Sequence, residues 1–239
     1  MPESCPKRFA RVSALVLALV TTAAATAAAE TPYTPLDPSG VNGFDRAFMF
    51  RYSATQDHVA DAGEVASFLV PATLAFAAPT SDWGEIALMY AGSTALALGS
   101  RFALKELVSR DRPYMYFDDP PADKIAEGDG NRSFPSGHAI VAFNGAAFTA
   151  TVFAMKYPDS PYRWPVTAAA YTLATATAVL RVTGGSHFAT DVAAGALIGS
   201  LTGFAVPFAY LKFREARGNA DTGVNFAPLP SGFIVSIRY

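Results

Sequence analysis

The chain has 239 residues, of which 51% are apolar and only 16% charged, against roughly 25% charged in an ordinary soluble domain. That length admits one sizeable domain or a small helical membrane protein, and the composition favours the membrane class over a soluble protein of unusually buried helices. The net charge of −2 supplies no basic field, so nucleic acid is excluded as a partner.

The N-terminus has the order of an export signal. Lys7, Arg8 and Arg11 give a positive start, Ser13–Val20 is apolar, and Ala27 and Ala29 form an A-x-A pattern before Glu30. This predicts a signal peptide over 1–29, with an uncleaved first membrane helix as the alternative. The single cysteine, Cys5, precedes the apolar stretch, where a lipid-anchor cysteine would follow it. Cleavage leaves a chain without thiol chemistry. Residues 30–63 read as a Pro/Gly-rich lead carrying a short amphipathic helix, 64–217 as a helical bundle, and 218–239 as a tail.

Within the bundle five apolar segments follow: Val65–Pro79, Ile86–Leu104, Ala139–Met155, Pro165–Leu180 and Val192–Leu211. None alternates with period two, so the expected fold is all-α, with about five apolar core helices after the N-terminal signal or anchor segment. Several are shorter than the ~20 residues of a membrane span, and they are rich in Ala, Gly and Thr. The connections favour spans nonetheless. With the chain entering from outside, the inner loops are Thr80–Glu85, Lys156–Trp164 and the tail after Leu211. They carry Lys156, Arg163, Lys212, Arg214 and Arg217, as the positive-inside rule asks. Trp83 and Trp164 near segment ends suit interfacial anchors or helix-end packing. Gly195, Gly199 and Gly203 repeat every fourth residue and predict close helix packing inside the bundle rather than a dimer face. The tail Gly232–Tyr239 alternates like a strand.

Three polar clusters interrupt this apolar background. The first, KELVSRDRP (Lys105–Pro113), puts Lys105 and Arg112 seven residues apart, on one helical face. Taken alone, these are cations serving a helix C-terminus. The second, Pro135-Ser136-Gly137-His138, opens the third segment. Ser136 suits an N-cap, Gly137 admits close approach of a ligand to the backbone, and free N–H groups there attract anions. The third, RVTGGSHFATD (Arg181–Asp191), joins the fourth and fifth segments. Gly184 and Gly185 permit a sharp turn. His187 and Asp191 stand four apart, where a carboxylate on one imidazole nitrogen makes the other a better nucleophile. His58, the remaining histidine, has no motif around it and reads as a structural or surface residue.

Alternating spans put all three clusters on the outer side. Together they offer three cations, two histidines, a serine and free N–H groups, a set suited to a phosphate oxyanion. One histidine can attack phosphorus while the other protonates the leaving oxygen. The sequence has no metal-binding pattern, so the expected chemistry needs neither metal nor cofactor.

These motifs resemble those of the type 2 phosphatidic acid phosphatase superfamily, which shares its site with vanadium haloperoxidases. Lys105-x6-Arg112-Pro113 and Pro135-Ser136-Gly137-His138 match in full; Arg181-x5-His187-x3-Asp191 matches except that Leu180 replaces the usual Ser. The resemblance implies that His187 is the nucleophile of a phospho-histidine intermediate, Asp191 orients it, and His138 is the general acid. It implies that Lys105, Arg112, Ser136, Gly137 and Arg181 hold the phosphoryl oxygens. The function it implies is a phosphatase acting on phosphomonoesters or pyrophosphates of phospholipids or isoprenoid lipids, in the inner membrane with its site facing the periplasm. A soluble periplasmic acid phosphatase, a vanadate-dependent haloperoxidase, a phosphotransferase and a non-catalytic protein with a degenerate site are the rivals. Between the first two clusters, Tyr114, Met115, Tyr116 and Phe117 are either an interfacial aromatic patch or packing over the site. Asp118, Asp119, Asp123, Glu127 and Asp129 form a solvated acidic loop or a lid that screens substrates by charge.

Overall fold

The computed structural model describes residues 33–216 and two strands beyond them. The expected signal segment and Cys5 lie outside the described residues. Seven α-helices follow in chain order: α1 Gly43–Ala47, α2 Ala54–Leu69, α3 Trp83–Leu107, α4 Ala122–Ala126, α5 Gly137–Lys156, α6 Arg163–Thr183 and α7 Ala189–Ala216. The five apolar segments are the five long helices. α2 starts earlier than expected and ends in a 3-10 stretch, Val70–Phe76, that begins just before Pro71. The boundary drawn at 63/64 therefore falls inside a continuous helix. The acidic stretch before it belongs to the bundle, because Asp57 is buried against residues of the α6–α7 connection.

α5 is the axis. It is buried nearly all round, while α2, α3, α6 and α7 each bury a stripe and leave Phe68, Leu96, Phe102, Val179, Leu197 and Phe204 exposed. An apolar outer face on helices around a buried one is the reverse of a soluble bundle and the arrangement expected in lipid. α2 with its 3-10 extension, α5, α6 and α7 are long and apolar enough to cross a membrane.

Close packing fixes the register of this shell. A Cβ on Gly195 would strike the Ser136 carbonyl; one on Gly199 or Gly203 would strike the carbonyl of Ile140 or Asn144. The three glycines thus let α7 lie directly on the α5 backbone. Midway along, Asn144 donates to Ser93 Oγ at 2.7 Å and Thr202 Oγ1 at 2.9 Å, tying α5 to α3 and α7.

The two ends of the bundle are both charged. At the C-terminal end of α5, Lys156 pairs with Glu85 and, at 3.1 Å, with Asp82. Arg214 also pairs with Glu85, and Tyr157 donates to Asp82 at 2.7 Å. The expected inner loops therefore meet at one end. The three motif clusters gather at the other, about 30 Å away along the 20 residues of α5. Trp83 and Trp164 are exposed at the starts of α3 and α6.

The strand-like tail has a partner that the sequence reading did not supply. Val224–Leu229 (β1) pairs antiparallel with Gly232–Ile237 (β2), from Val224 opposite Ile237 to Leu229 opposite Gly232. This hairpin is the single sheet among the described residues.

Candidate active site

The N-terminus of α5, the C-terminus of α3 and the α6–α7 turn converge. Backbone bonds join them: Ser133 N–H donates to the Arg110 carbonyl at 2.9 Å, and Ser136 N–H to the Asp191 carbonyl at 3.1 Å. Gly185 makes the turn at φ +70°, where its Cβ would strike the carbonyls of Phe50 and Arg51. The Gly-Gly turn expected from sequence is therefore present and sterically required.

His187 is 1% exposed. Arg112 NH1 lies 3.2 Å from its Nε2. A guanidinium can only donate, so Nε2 accepts and the proton of the neutral ring sits on Nδ1. Nδ1 has no hydrogen-bond partner, and Asp191 Oδ2 stands 3.9 Å from it. Asp191 is instead held by Arg110 on Oδ1, and on Oδ2 by Ser133 Oγ at 2.6 Å and Phe188 N–H at 2.9 Å. Burial, then the charges of Arg112, Arg181, Lys105 and His138, push His187 well below its ordinary value of 6.5. The ring is a free base, and four expected site residues are close enough to impose that.

Each cation is positioned differently. Arg112 is buried; NH1 donates to the Ser186 carbonyl at 2.9 Å and NH2 pairs with Asp129 at 2.6 Å. Arg181 is buried and pairs with Asp57, while its Nε has no partner. Lys105 donates to the Arg132 carbonyl at 2.6 Å. Burial, with Arg112 beside it, pushes Lys105 down to about 8. Ser136 caps α5, its Oγ accepting from Ala139 N–H at 3.5 Å. A Cβ on Gly137 would meet Arg101 Nε at 2.5 Å. His138 Nε2 lies 2.7 Å from Asp61 and 3.2 Å from Glu64. Leu180, the departure from the motif, lines a groove with Ala176 and Val179.

Several residues here escaped the sequence reading. Asp57, Asp61 and Glu64 of α2 grip Arg181 and His138. Asp57 also accepts from Ser186 Oγ at 2.7 Å. Asp45, fully buried, accepts from Arg110 at 2.6 Å and from Thr190 N–H at 3.0 Å. Arg101 lies over Gly137 with its Nε unpartnered. The one available signal was the spacing of Asp57, Asp61 and Glu64, which puts three acids on one face of an apolar helix.

The loop 114–131 decides between the alternatives that the sequence left open. Tyr114 is buried, edge-on to Tyr52, Tyr116 packs on Phe188, and Arg51 lies over Phe117. The aromatic run is packing over the site rather than an exposed patch. The acidic loop is largely solvated: Asp118 and Asp119 meet Arg51 at the surface, and Asp129 alone of the five acids reaches a site cation, Arg112. His58 is exposed, as expected.

The sequence profile of the PAP2 superfamily matches residues 86–215. A curated relative, lipid A 1-phosphatase of Porphyromonas gingivalis, is 32% identical over 125 residues. That stretch is 52% of this chain and 24% of the relative, so the chain spans about a quarter of that protein's length. Among solved structures, LpxE of Aquifex aeolicus is 21% identical with a TM-score of 0.48, covering 69% of this chain and 92% of that one. A transmembrane PAP2 type phosphatidylglycerolphosphate phosphatase from Bacillus subtilis is 22% identical with a TM-score of 0.49, covering 84% and 96%.

Proposed function

The chain belongs to the PAP2 superfamily, and on that premise we propose that it is a membrane phosphatase that hydrolyses lipid phosphates without a metal, through a phospho-histidine. The observation that carries the reading is His187: a buried free base whose Nε2 lone pair faces Arg112, with Arg181 and Lys105 around it. A neutral nucleophile beside fixed cations is what attack on an anionic phosphorus requires.

In this reading a phosphoryl group enters beside Nε2, and its oxygens take up Arg112, Arg181 and Lys105 together with the N–H groups at the start of α5. Nε2 bonds to phosphorus as the ester P–O bond breaks, and His138 gives its proton to the leaving oxygen. As the imidazole gains positive charge, its Nδ1–H closes on Asp191, a movement of about 1 Å from the present 3.9 Å separation. Water returns the proton to His138, bonds to phosphorus and frees His187. Asp129, now on Arg112, gives way as the phosphoryl oxygens arrive.

The exposed apolar faces support an integral membrane protein. The cations of the opposite end support a site on the outer, periplasmic face of the inner membrane. The names of the relatives point to lipid A or phosphatidylglycerolphosphate as substrates of this class.

The test is phosphate release by purified protein with chelator present, on phosphatidic acid, a lipid pyrophosphate and a water-soluble phosphomonoester. Release from a lipid, absent in His187→Ala, is the expected result. Release from the soluble ester alone would replace the lipid reading with an acid phosphatase. A His187→Ala protein with near-normal turnover would sink the assignment of the nucleophile.

A further inference from the structure

α2 lies outside the segment 86–215 that matches the family profile, yet it reaches the reacting groups. Asp57, Asp61 and Glu64 stand on one face of it. Asp57 pairs with Arg181; the next two acids meet His138. We infer that Asp61 is a positioning residue for His138, holding that imidazole as the proton donor to alkoxide leaving groups. The inference rests on the assignment of His138 as general acid made above.

An ionised carboxylate only accepts, so at 2.7 Å from Asp61 Oδ1 the His138 Nε2 carries a hydrogen. That commits Nε2 to α2 and leaves Nδ1 to exchange a proton with substrate. Burial first, and then the charge of Arg181, favour the neutral ring; Asp61 and Asp57 oppose them, and a hydrogen bond on one nitrogen fixes the use of the other. His138 is held on an otherwise unfavourable field. Arg181 of α6 approaches Asp61 at 3.7 Å and acts on His138 directly, while Asp57 favours its charge. From α3, Arg101 lies over the neighbouring Gly137 and acts on Glu64; from the turn before α7, His187 and His138 oppose each other's charge. Asp61 makes the shortest contact to the ring and is half-exposed, whereas Glu64 is more buried and further away.

The proton balance is simple. In the first step Nδ1–H passes its proton to the leaving alkoxide as the Nε2–P bond of His187 forms, giving the free alcohol and a neutral His138 still donating to Asp61. In the second, Nδ1 takes a proton from the attacking water, phosphate departs, and the starting state returns. A held proton matters most where the leaving oxygen is strongly basic, as in alkyl esters, and little for a phenolate.

The experiment compares kcat/KM on dioctanoyl phosphatidic acid and on p-nitrophenyl phosphate, using the full chain in detergent. Asp61→Asn is expected to lose about tenfold or more on the alkyl ester, in kcat, and less than about threefold on the aryl ester. His138→Ala shows the same bias with larger losses, and Asp61→Glu restores part of the alkyl activity. Equal losses on both esters in Asp61→Asn, or none on either, overturn the role of Asp61. No leaving-group bias in His138→Ala overturns the general-acid reading beneath it. No release by the unaltered protein from either ester overturns both.

Discussion

The two ends of the bundle use the same residue types to different effect. At the Lys156 end, Glu85 receives two cations, Asp82 receives Lys156 and Tyr157, and none of these groups has a buried atom without a partner. Burial works against the Asp82 charge, but the hydrogen bonds from Tyr157 and Lys156 outweigh it and hold the pKa low. At the motif end, His187 Nδ1, Arg181 Nε and Arg101 Nε are buried with no partner. Lys105 and His187 are both pushed toward their neutral forms. Both ends contain carboxylates enough to pair with their cations, so net charge does not separate them. Open valences do: a cluster that only joins helices closes its hydrogen bonds, and a cluster that receives an anion leaves donors for it.

The comparison breaks first at His187. Its replacement by Ala removes the nucleophile, and phosphate release is expected to fall by about a thousandfold or more. The buried ring leaves a cavity and Arg112 loses an acceptor, so the unfolding temperature should fall as well, and turnover is compared per folded molecule. Arg112→Ala comes next, with an expected loss of about a hundredfold or more, the scale of removing one fixed donor from a developing oxyanion. A loss confined to KM in that variant would assign Arg112 to ground-state binding alone.

What the sequence disclosed about this end was local. Lys105 with Arg112, Ser136 with His138, and His187 with Asp191 are each set by spacing along one segment, so the clusters and the helices bearing them were legible from residue order. The α2 acids were not. Asp57 lies 124 residues from Arg181, and the spacing of three acids reveals a shared face but not what that face meets. Arg110 was hidden for another reason: within SRDRP it looks like any cation at a helix end, and its grip on Asp191 and Asp45 depends on α1 and α7 arriving together. The aromatic run Tyr114–Phe117 admitted two readings because composition cannot tell a ring that packs inward from one that meets lipid.

The opposite end gives the complementary prediction. Glu85→Ala strips a buried partner from Lys156 and Arg214 and is expected to destabilise the fold by about 3 kcal/mol, read as a lower midpoint of thermal unfolding in detergent. Turnover per folded molecule should not change, because nothing at that end touches the site. Lost turnover at unchanged stability would mean that the two ends are coupled through α5, and the contrast between them would fail.

The smallest effect concerns Lys105, and it separates a charge that serves phosphate from one that serves the fold. Its pKa of about 8 means that the ammonium is charged below pH 8 and neutral above it. A phosphate monoester is already a dianion at pH 7, since its second pKa is about 6, so the substrate's charge is constant across this range. If Lys105 holds a phosphoryl oxygen, kcat/KM, which reports the free enzyme, falls as pH rises through about 8, approaching tenfold per unit. Lys105→Arg keeps the charge at every accessible pH and should flatten that limb while lowering the plateau, because a planar fork does not reproduce a point charge. Persistence of the same limb in Lys105→Arg would give it to another group and leave Lys105 as a donor to the Arg132 carbonyl that ties α3 to the loop before α5.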